Sequence, residues 1–285
     1  MQGGSPLIAH TAALMDTLRN TLKDKIVVVT GASRGVGKGI ACVLGEVGAT
    51  VYVTGRSTRE RGSTENLAGT VEETAEEVTK RGGEGIPVLL DHTDDAQVEK
   101  FFERVGSEQG RLDLLVNNAW GGYERYDSGG FQSPFWEQPF AARWNGMFAA
   151  GVRAHLLASR SAAPIMIAQR EGLIISTVAW DEGKYLGNLY YDAAKSAIVR
   201  MTWGMSRELF PFGVAAVALA PGFVRTERVM AAHAEQPFDL RQTESPEYVT
   251  QTGKILYAGE LARRYGFTDT DGRWVPRFRL PEEYS

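Results

Sequence analysis

Apolar residues in this chain fall into short unbroken runs, and between the runs they recur every three or four positions. The run Ile26-Val27-Val28-Val29 has no polar alternation, the pattern of a parallel strand covered on both faces. Runs of the same kind predict strands over 50–54, 86–90, 112–116, 173–177 and 214–219, with a last one over 253–256. Helical spacing predicts helices over 35–46, 71–81, 96–108, 151–166 and 191–209. Strand and helix alternate from Lys25 onward, so the connections are βαβ crossovers. The fold class is α/β: a doubly wound parallel sheet with helices on both faces, in three layers. A helical extension over 1–22, with apolar spacing from about Ile8 to Leu22, precedes one domain over 23–285 that includes a tail over 258–285. No Pro/Gly linker, repeat or low-complexity stretch divides that domain. Between the helix-start signal Ser245-Pro246-Glu247 and the last strand only a handful of residues remain, too few for another long helix.

The first strand breaks into Thr30-Gly31-Ala32-Ser33-Arg34-Gly35-Val36-Gly37, and a helical pattern follows at once. Gly31 supplies a tight turn, and Gly35 and Gly37 carry no Cβ, so the backbone can approach a ligand closely. The helix that starts there presents unpaired N–H groups and the positive end of its dipole. A pyrophosphate needs both, so a Rossmann-type dinucleotide site is expected. The second strand ends Val53-Thr54-Gly55-Arg56, with no carboxylate for a free ribose 2′-hydroxyl and with a guanidinium suited to a 2′-phosphate, which points to NADP(H).

Tyr191 and Lys195 stand four apart in a helical segment and so share one face, whereas Tyr190 is rotated by about 100°. Reducing a carbonyl requires a proton on oxygen as hydride reaches carbon, and a free tyrosine with pKa about 10 is poorly matched to neutral pH. An ammonium close by favours the phenolate and lowers that pKa. Taken alone, the pair reads as a surface tyrosine and lysine on an amphipathic helix; in a carbonyl reductase Tyr191 would be the general acid/base and Lys195 its electrostatic partner, the roles that the family resemblance described below implies.

Composition narrows the field. A chain of 285 residues, 43% hydrophobic and 23% charged, can form one large α/β domain. The net charge of −4 gives no basic field for nucleic acid or an anionic membrane, and no apolar run approaches a membrane span. The single cysteine, Cys42, excludes an internal disulfide. With a start that lacks the pattern of a secretory signal, it leads to the expectation of a cytoplasmic protein. His10, His92, His155 and His233 have no metal-ligand spacing, so no metal is expected.

Four elements in order resemble the short-chain dehydrogenase/reductase family: the T-G-x-x-x-G-x-G loop from Thr30, Asn117-Asn118-Ala119 after strand four, Tyr191-x-x-x-Lys195, and Pro221-Gly222-Phe223-Val224-Arg225-Thr226 after strand six. The resemblance implies that Gly31, Ser33, Arg34, Gly35, Val36 and Gly37 hold the cofactor, with Arg34 a second cation beside Arg56 at the 2′-phosphate. It implies that Asp91, with His92 beside it, meets the adenine amino group. Asn118 and Ala119 would brace the sheet and touch ribose, while Lys195 would also hold the nicotinamide ribose. Pro221, Gly222, Val224 and Thr226 would hold the carboxamide. Two family positions depart from the pattern. Ala179 stands twelve residues before Tyr191, where a substrate-orienting serine is usual, and Gly151 stands where a helix asparagine is usual. Ser176, with Thr177 beside it, is the candidate replacement hydroxyl if strand five ends in a shifted conformation; a structural role at the core edge is the competing reading. These losses, the aromatic residue after Asn-Asn-Ala, Phe135-Trp136-Glu137 and the segment from Glu260 to Arg273 resemble the dehydrogenase/reductase member 1 subgroup of the family.

Trp120, Tyr123, Phe131, Phe135, Trp136 and Trp180 fall in segments expected at the carboxyl ends of the strands, so the substrate expected is a small apolar or aromatic carbonyl, or its alcohol: a ketone, quinone or steroid-like molecule. The alternative is an NADP(H)-binding protein with little catalysis, acting as a redox sensor or assembly partner. The absent seventh helix argues against a tetramer and leaves a homodimer through the helices over 151–166 and 191–209.

Overall fold

The computed structural model describes residues 22–124, 130–235, 237, 239–240, 243–245, 255–257 and 273. In chain order the elements are β1 (Ile26–Val29), α1 (Gly35–Glu46), β2 (Thr50–Gly55), α2 (Val71–Lys80), β3 (Glu84–Leu89), α3 (Asp95–Gln109) and β4 (Leu114–Asn117). A short α4 (Phe140–Trp144), a π-helical stretch (Asn145–Arg153) and α5 (Ala154–Gln169) follow, then β5 (Gly172–Thr177), α6 (Leu189–Leu209) and β6 (Val214–Ala220). The chain closes through β7 (Phe223–Val224), α7 (Glu227–Glu235), β8 (Thr243–Glu244) and β9 (Ile255–Tyr257).

Seven strands form one sheet in the order β3-β2-β1-β4-β5-β6-β9, every neighbouring pair parallel. The order reverses between β1 and β4, which opens a crevice at their carboxyl ends. Strand alternation builds the layers. Ile26 and Val28 join the cluster packed by Phe101, Phe102 and Val105 of α3 and Ala158, Ala162 and Met166 of α5. Val27 and Val29 face the other way, onto Ile40 and Leu44 of α1 and Val71, Ala75 and Val78 of α2. The doubly wound, three-layer arrangement is the one the pattern predicts.

Several boundaries differ from it. β4 starts at Leu114, two residues later than expected, and Asp113 just before it accepts through its carboxylate from the Ile26 amide at 2.9 Å and the Lys25 ammonium at 3.0 Å. The helix expected from 151 begins at Phe140, and its first turns put an aromatic ladder outward: Phe140 stacks on Trp144, and Trp144 on Phe148 with ring centroids 4.4 Å apart. Outward apolar side chains break the amphipathic signal that marks a helix in sequence. α7 and the two-stranded β7–β8 ladder were not predicted. The last strand falls as expected beside β6, over Ile255–Tyr257. The N-terminal extension, the segment thought too short for a seventh helix and the tail pattern lie outside the described residues, apart from a few isolated positions.

Candidate active site

A cavity of about 540 Å³ lies over the β1/β4 crevice, and every residue predicted for the site lines it except Gly37 and Ser176. Its phosphate end is built around Thr30. The Thr30 hydroxyl accepts from the amides of Asn118 at 2.9 Å and Ala119 at 3.0 Å, and Asn118 Nδ2 donates back to the carbonyls of Thr30 and Gly31 at 3.1 and 2.9 Å. The glycine loop and the β4 turn are thus one rigid unit. Gly31 is left-handed at φ 63°, and a Cβ there would lie 2.7 Å from Ala119 Cα. Gly37 corrects an expectation: a Cβ on it would run into Asn118 Nδ2 and the Gly31 carbonyl, so its bareness serves packing inside the protein and not approach to a ligand.

Gly35, at φ 59°, opens α1 with no side-chain cap, and its amide donates to Glu227 Oε2 at 2.7 Å. An internal carboxylate therefore sits at the helix N-terminus that suits a phosphate. Arg56 is paired with Glu124, and Arg228 with Glu65. Arg34 donates to Thr64 O and Oγ1, both at 3.1 Å, to Ser57 Oγ at 2.6 Å and to Gly69 O at 3.2 Å, which makes it the anchor of the loop beside the groove. Asp91 accepts from Thr93 N and Oγ1 at 2.9 and 2.7 Å. His92 is buried with Nε2 2.7 Å from Thr54 Oγ1, while its Nδ1 has no hydrogen-bond partner. Burial pulls the imidazole down to about 4, so it is neutral.

At the reaction end, Asn188 caps α6 by accepting from the Tyr191 amide at 3.0 Å, which aims Tyr191 into the cavity. The Tyr191 hydroxyl accepts from Tyr123 at 3.0 Å. Tyr190 turns away and donates to the Phe135 carbonyl at 3.2 Å. Lys195 is 6% exposed, with its ammonium 3.6 Å from the centroid of the Trp120 ring and 5.5 Å from that of Tyr191. Burial lowers Lys195 to about 7, and burial together with Tyr123 raises Tyr191 well above 10. The depressed tyrosine expected from the sequence is absent here, because the ammonium lies against the indole and not on the phenol oxygen.

The two departures have physical counterparts. Ser176 shares strand parity with Ile174, faces the packed core with no exposure and makes no hydrogen bond through its hydroxyl, so it is not the replacement donor. Thr177 lines the cavity instead, its hydroxyl 3.3 Å from the Asn117 carbonyl. A Cβ on Gly151 would lie 2.5 Å from the Trp120 ring, and one on Gly122 would meet the same ring at 2.5 Å. Trp120 fills the space an asparagine would need. Beneath it, Asn117 Nδ2 donates to Ser159 Oγ at 2.8 Å, Ser159 donates to the His155 carbonyl at 2.8 Å, and His155 Nε2 meets the Ala119 carbonyl at 3.1 Å. His155 is held neutral by burial, at about 3.

Of the six aromatics expected at the cleft, Trp120, Tyr123 and Trp180 line the cavity. Phe131 lines an adjoining recess of about 450 Å³ with Tyr123, Leu186, Tyr191, Phe223 and Arg228. Phe135 and Trp136 are exposed and line neither. Sequence reasoning missed Glu227, Glu124 and Glu65; a lone glutamate has no spacing signature, and the one hint was that Glu227 directly follows Thr226.

A glycine loop locked to an Asn-Asn-Ala turn, facing a tyrosine and lysine one helical turn apart, is a family arrangement, and the short chain dehydrogenase profile matches residues 25–237. The chain is a short-chain dehydrogenase/reductase. This family member is 37% identical to mouse dehydrogenase/reductase SDR family member 1 over 280 residues, which covers 89% of this chain and 86% of the relative. A short chain dehydrogenase from Mycobacterium thermoresistibile superposes with a TM-score of 0.76 at 23% identity, covering 93% of this chain and 99% of that one. A metagenomic short-chain oxidoreductase in complex with NADP superposes with a TM-score of 0.61 at 25% identity, covering 83% and 97%. Among the described residues no helix is long and apolar enough to cross a membrane, and no cluster of residues fit to hold a metal is present.

Proposed function

We propose that this oxidoreductase is an NADP(H)-dependent carbonyl reductase acting on apolar or aromatic ketones or quinones. The observation that carries the reading is Tyr191 on the cavity wall, with its hydroxyl at the mouth of an aromatic recess and Lys195 one turn behind it. The cradle fits a dinucleotide: Gly35 already holds a carboxylate where a phosphate would bind, Arg56 stands just past the end of β2, and the neutral His92 lines the cavity beside Asp91. When bound, the cofactor supplies hydride.

Tyr191 supplies the proton. Burial holds it in the protonated form at neutral pH, the form needed to donate to a carbonyl oxygen. Tyr123, Phe131, Leu186 and Phe223 give the recess an apolar wall suited to the carbonyl's substituents. NADPH is favoured by Arg56 and the absent carboxylate at Gly55. We also assign the protein to the cytoplasm, on its lone buried Cys42, and propose a homodimer through the helices over 151–166 and 191–209.

Fluorescence titration with NADPH and NADH, followed by NADPH oxidation against a panel of aromatic and alicyclic ketones and quinones, tests the reading. Preferential NADPH binding with turnover of apolar carbonyls is the expected result. Tight NADPH binding with no turnover of any carbonyl would leave a cofactor-binding protein in its place.

A further inference from the structure

Lys195 is an ammonium nearly sealed from water with no carboxylate partner among the described residues, and a buried charge needs compensation. Its titratable surroundings are neutral or protonated: Tyr191 on its own helix, Tyr123 hydrogen-bonded to that tyrosine, and His155 from α5. What meets the ammonium is the face of Trp120, from the turn after β4.

We propose that the Trp120 indole holds the Lys195 ammonium in register for the Tyr191 reaction, a positioning role taken over from the polar side chain that position 151 lacks. The ring centroid is 3.6 Å from Nζ, well inside cation–π range. The ring is gripped between Gly122 and Gly151, neither of which has room for a Cβ, so its plane is fixed by shape. Trp120 Nε1 makes no hydrogen bond, which leaves packing and the ammonium to set its orientation. The same ring meets Tyr191 edge-on, at 5.6 Å and 87°, and so spans both members of the pair. The catalytic part of the role rests on the reductase reading; the contact between ring and ammonium does not.

A ring face attracts the charged form of lysine and opposes the loss of its proton on burial. Draining the ring of π density therefore lets Lys195 deprotonate at lower pH. The test installs mono-, di- and trifluorinated tryptophans at position 120 alone, which change the charge of the face at nearly constant shape. In the cofactor-free protein, the 13C signal of Lys195 Cε, assigned by its loss in Lys195→Arg, should titrate at progressively lower pH, by up to about one pH unit across the series. The alkaline limb of kcat/KM should move the same way and in the same order, and Trp120→Phe should fall within the series. Midpoints that stay at the parental value throughout would make Trp120 an apolar filler and overturn the proposal, even with reductase activity intact. A graded Lys195 midpoint in a protein that reduces no carbonyl would uphold the contact and overturn the reductase reading.

Discussion

At the phosphate end of the cavity the shape is set by backbone amides and by glycines whose missing Cβ lets two turns pack together, whereas at the reaction end it is set by side chains drawn from separate segments. The first kind of site is fixed by local constraint. Only a residue without a Cβ tolerates the Gly31 contact with Ala119 at 2.7 Å and the left-handed turn that produces it, so the motif cannot drift. The second kind is fixed by what fills a volume and what faces a charge, and those tasks can move between elements. Trp120 and Gly151, on different elements, divide the space differently from the family pattern while leaving Tyr191 and Lys195 in place.

Substitutions at the two ends should fail in different ways. The largest effect belongs to the reaction end: Tyr191→Phe removes the proton donor and should cut kcat by about 10²- to 10⁴-fold with NADPH affinity nearly unchanged, while Tyr190→Phe stays close to the parent. Steady-state kinetics beside a cofactor titration read both, and equal behaviour of the two variants would place the proton source elsewhere. Arg56→Ala, at the opposite end, should weaken NADPH by about 1.5–3 kcal/mol, the scale of a charge-assisted hydrogen bond, and barely alter NADH. Parallel loss of both cofactors would remove the 2′-phosphate from Arg56.

Restoring the family's residue should harm this protein. Gly151→Asn drives a side chain into the Trp120 ring and should cost about 1–3 kcal/mol in urea unfolding, with much of the loss recovered when Trp120→Ala is added. A fully stable single variant would show that the ring yields and that the volume argument fails. The smallest effect concerns the carboxylate on α1. Glu227→Gln keeps the acceptor but removes the charge that competes with phosphate, so both dinucleotides should bind tighter by about 0.3–1 kcal/mol. Unchanged or weaker affinity would mean that Glu227 does not occupy their place.

The layers, the alternation of strand and helix, the phosphate loop and the Tyr191/Lys195 pair were legible because each is written over a few adjacent residues: the run at Ile26, the glycines after Thr30, the i,i+4 spacing of Tyr191 and Lys195. Ser176 against Thr177 was not, since counting back from Tyr191 says nothing about which of two neighbours strand alternation turns inward. The start of the helix at Phe140 was hidden by aromatic residues on its outward face. The pairing of Trp120 with Gly151 spans two elements, so neither residue announces it alone. The chemistry assigned to Lys195 needed the most revision, because spacing places an ammonium near a phenol but does not say which π-face or oxygen it lies against.

Glu227, whose carboxylate caps α1, is followed immediately by Arg228, which walls the aromatic recess and pairs with Glu65. One helical turn of α7 thus touches both the phosphate end and the substrate end. An anion that bound at Gly35 would compete with Glu227 for the same amide, and Arg228 stands next in the chain on the wall of the recess. Two neighbouring residues therefore tie the charge at the phosphate end to the shape of the substrate end.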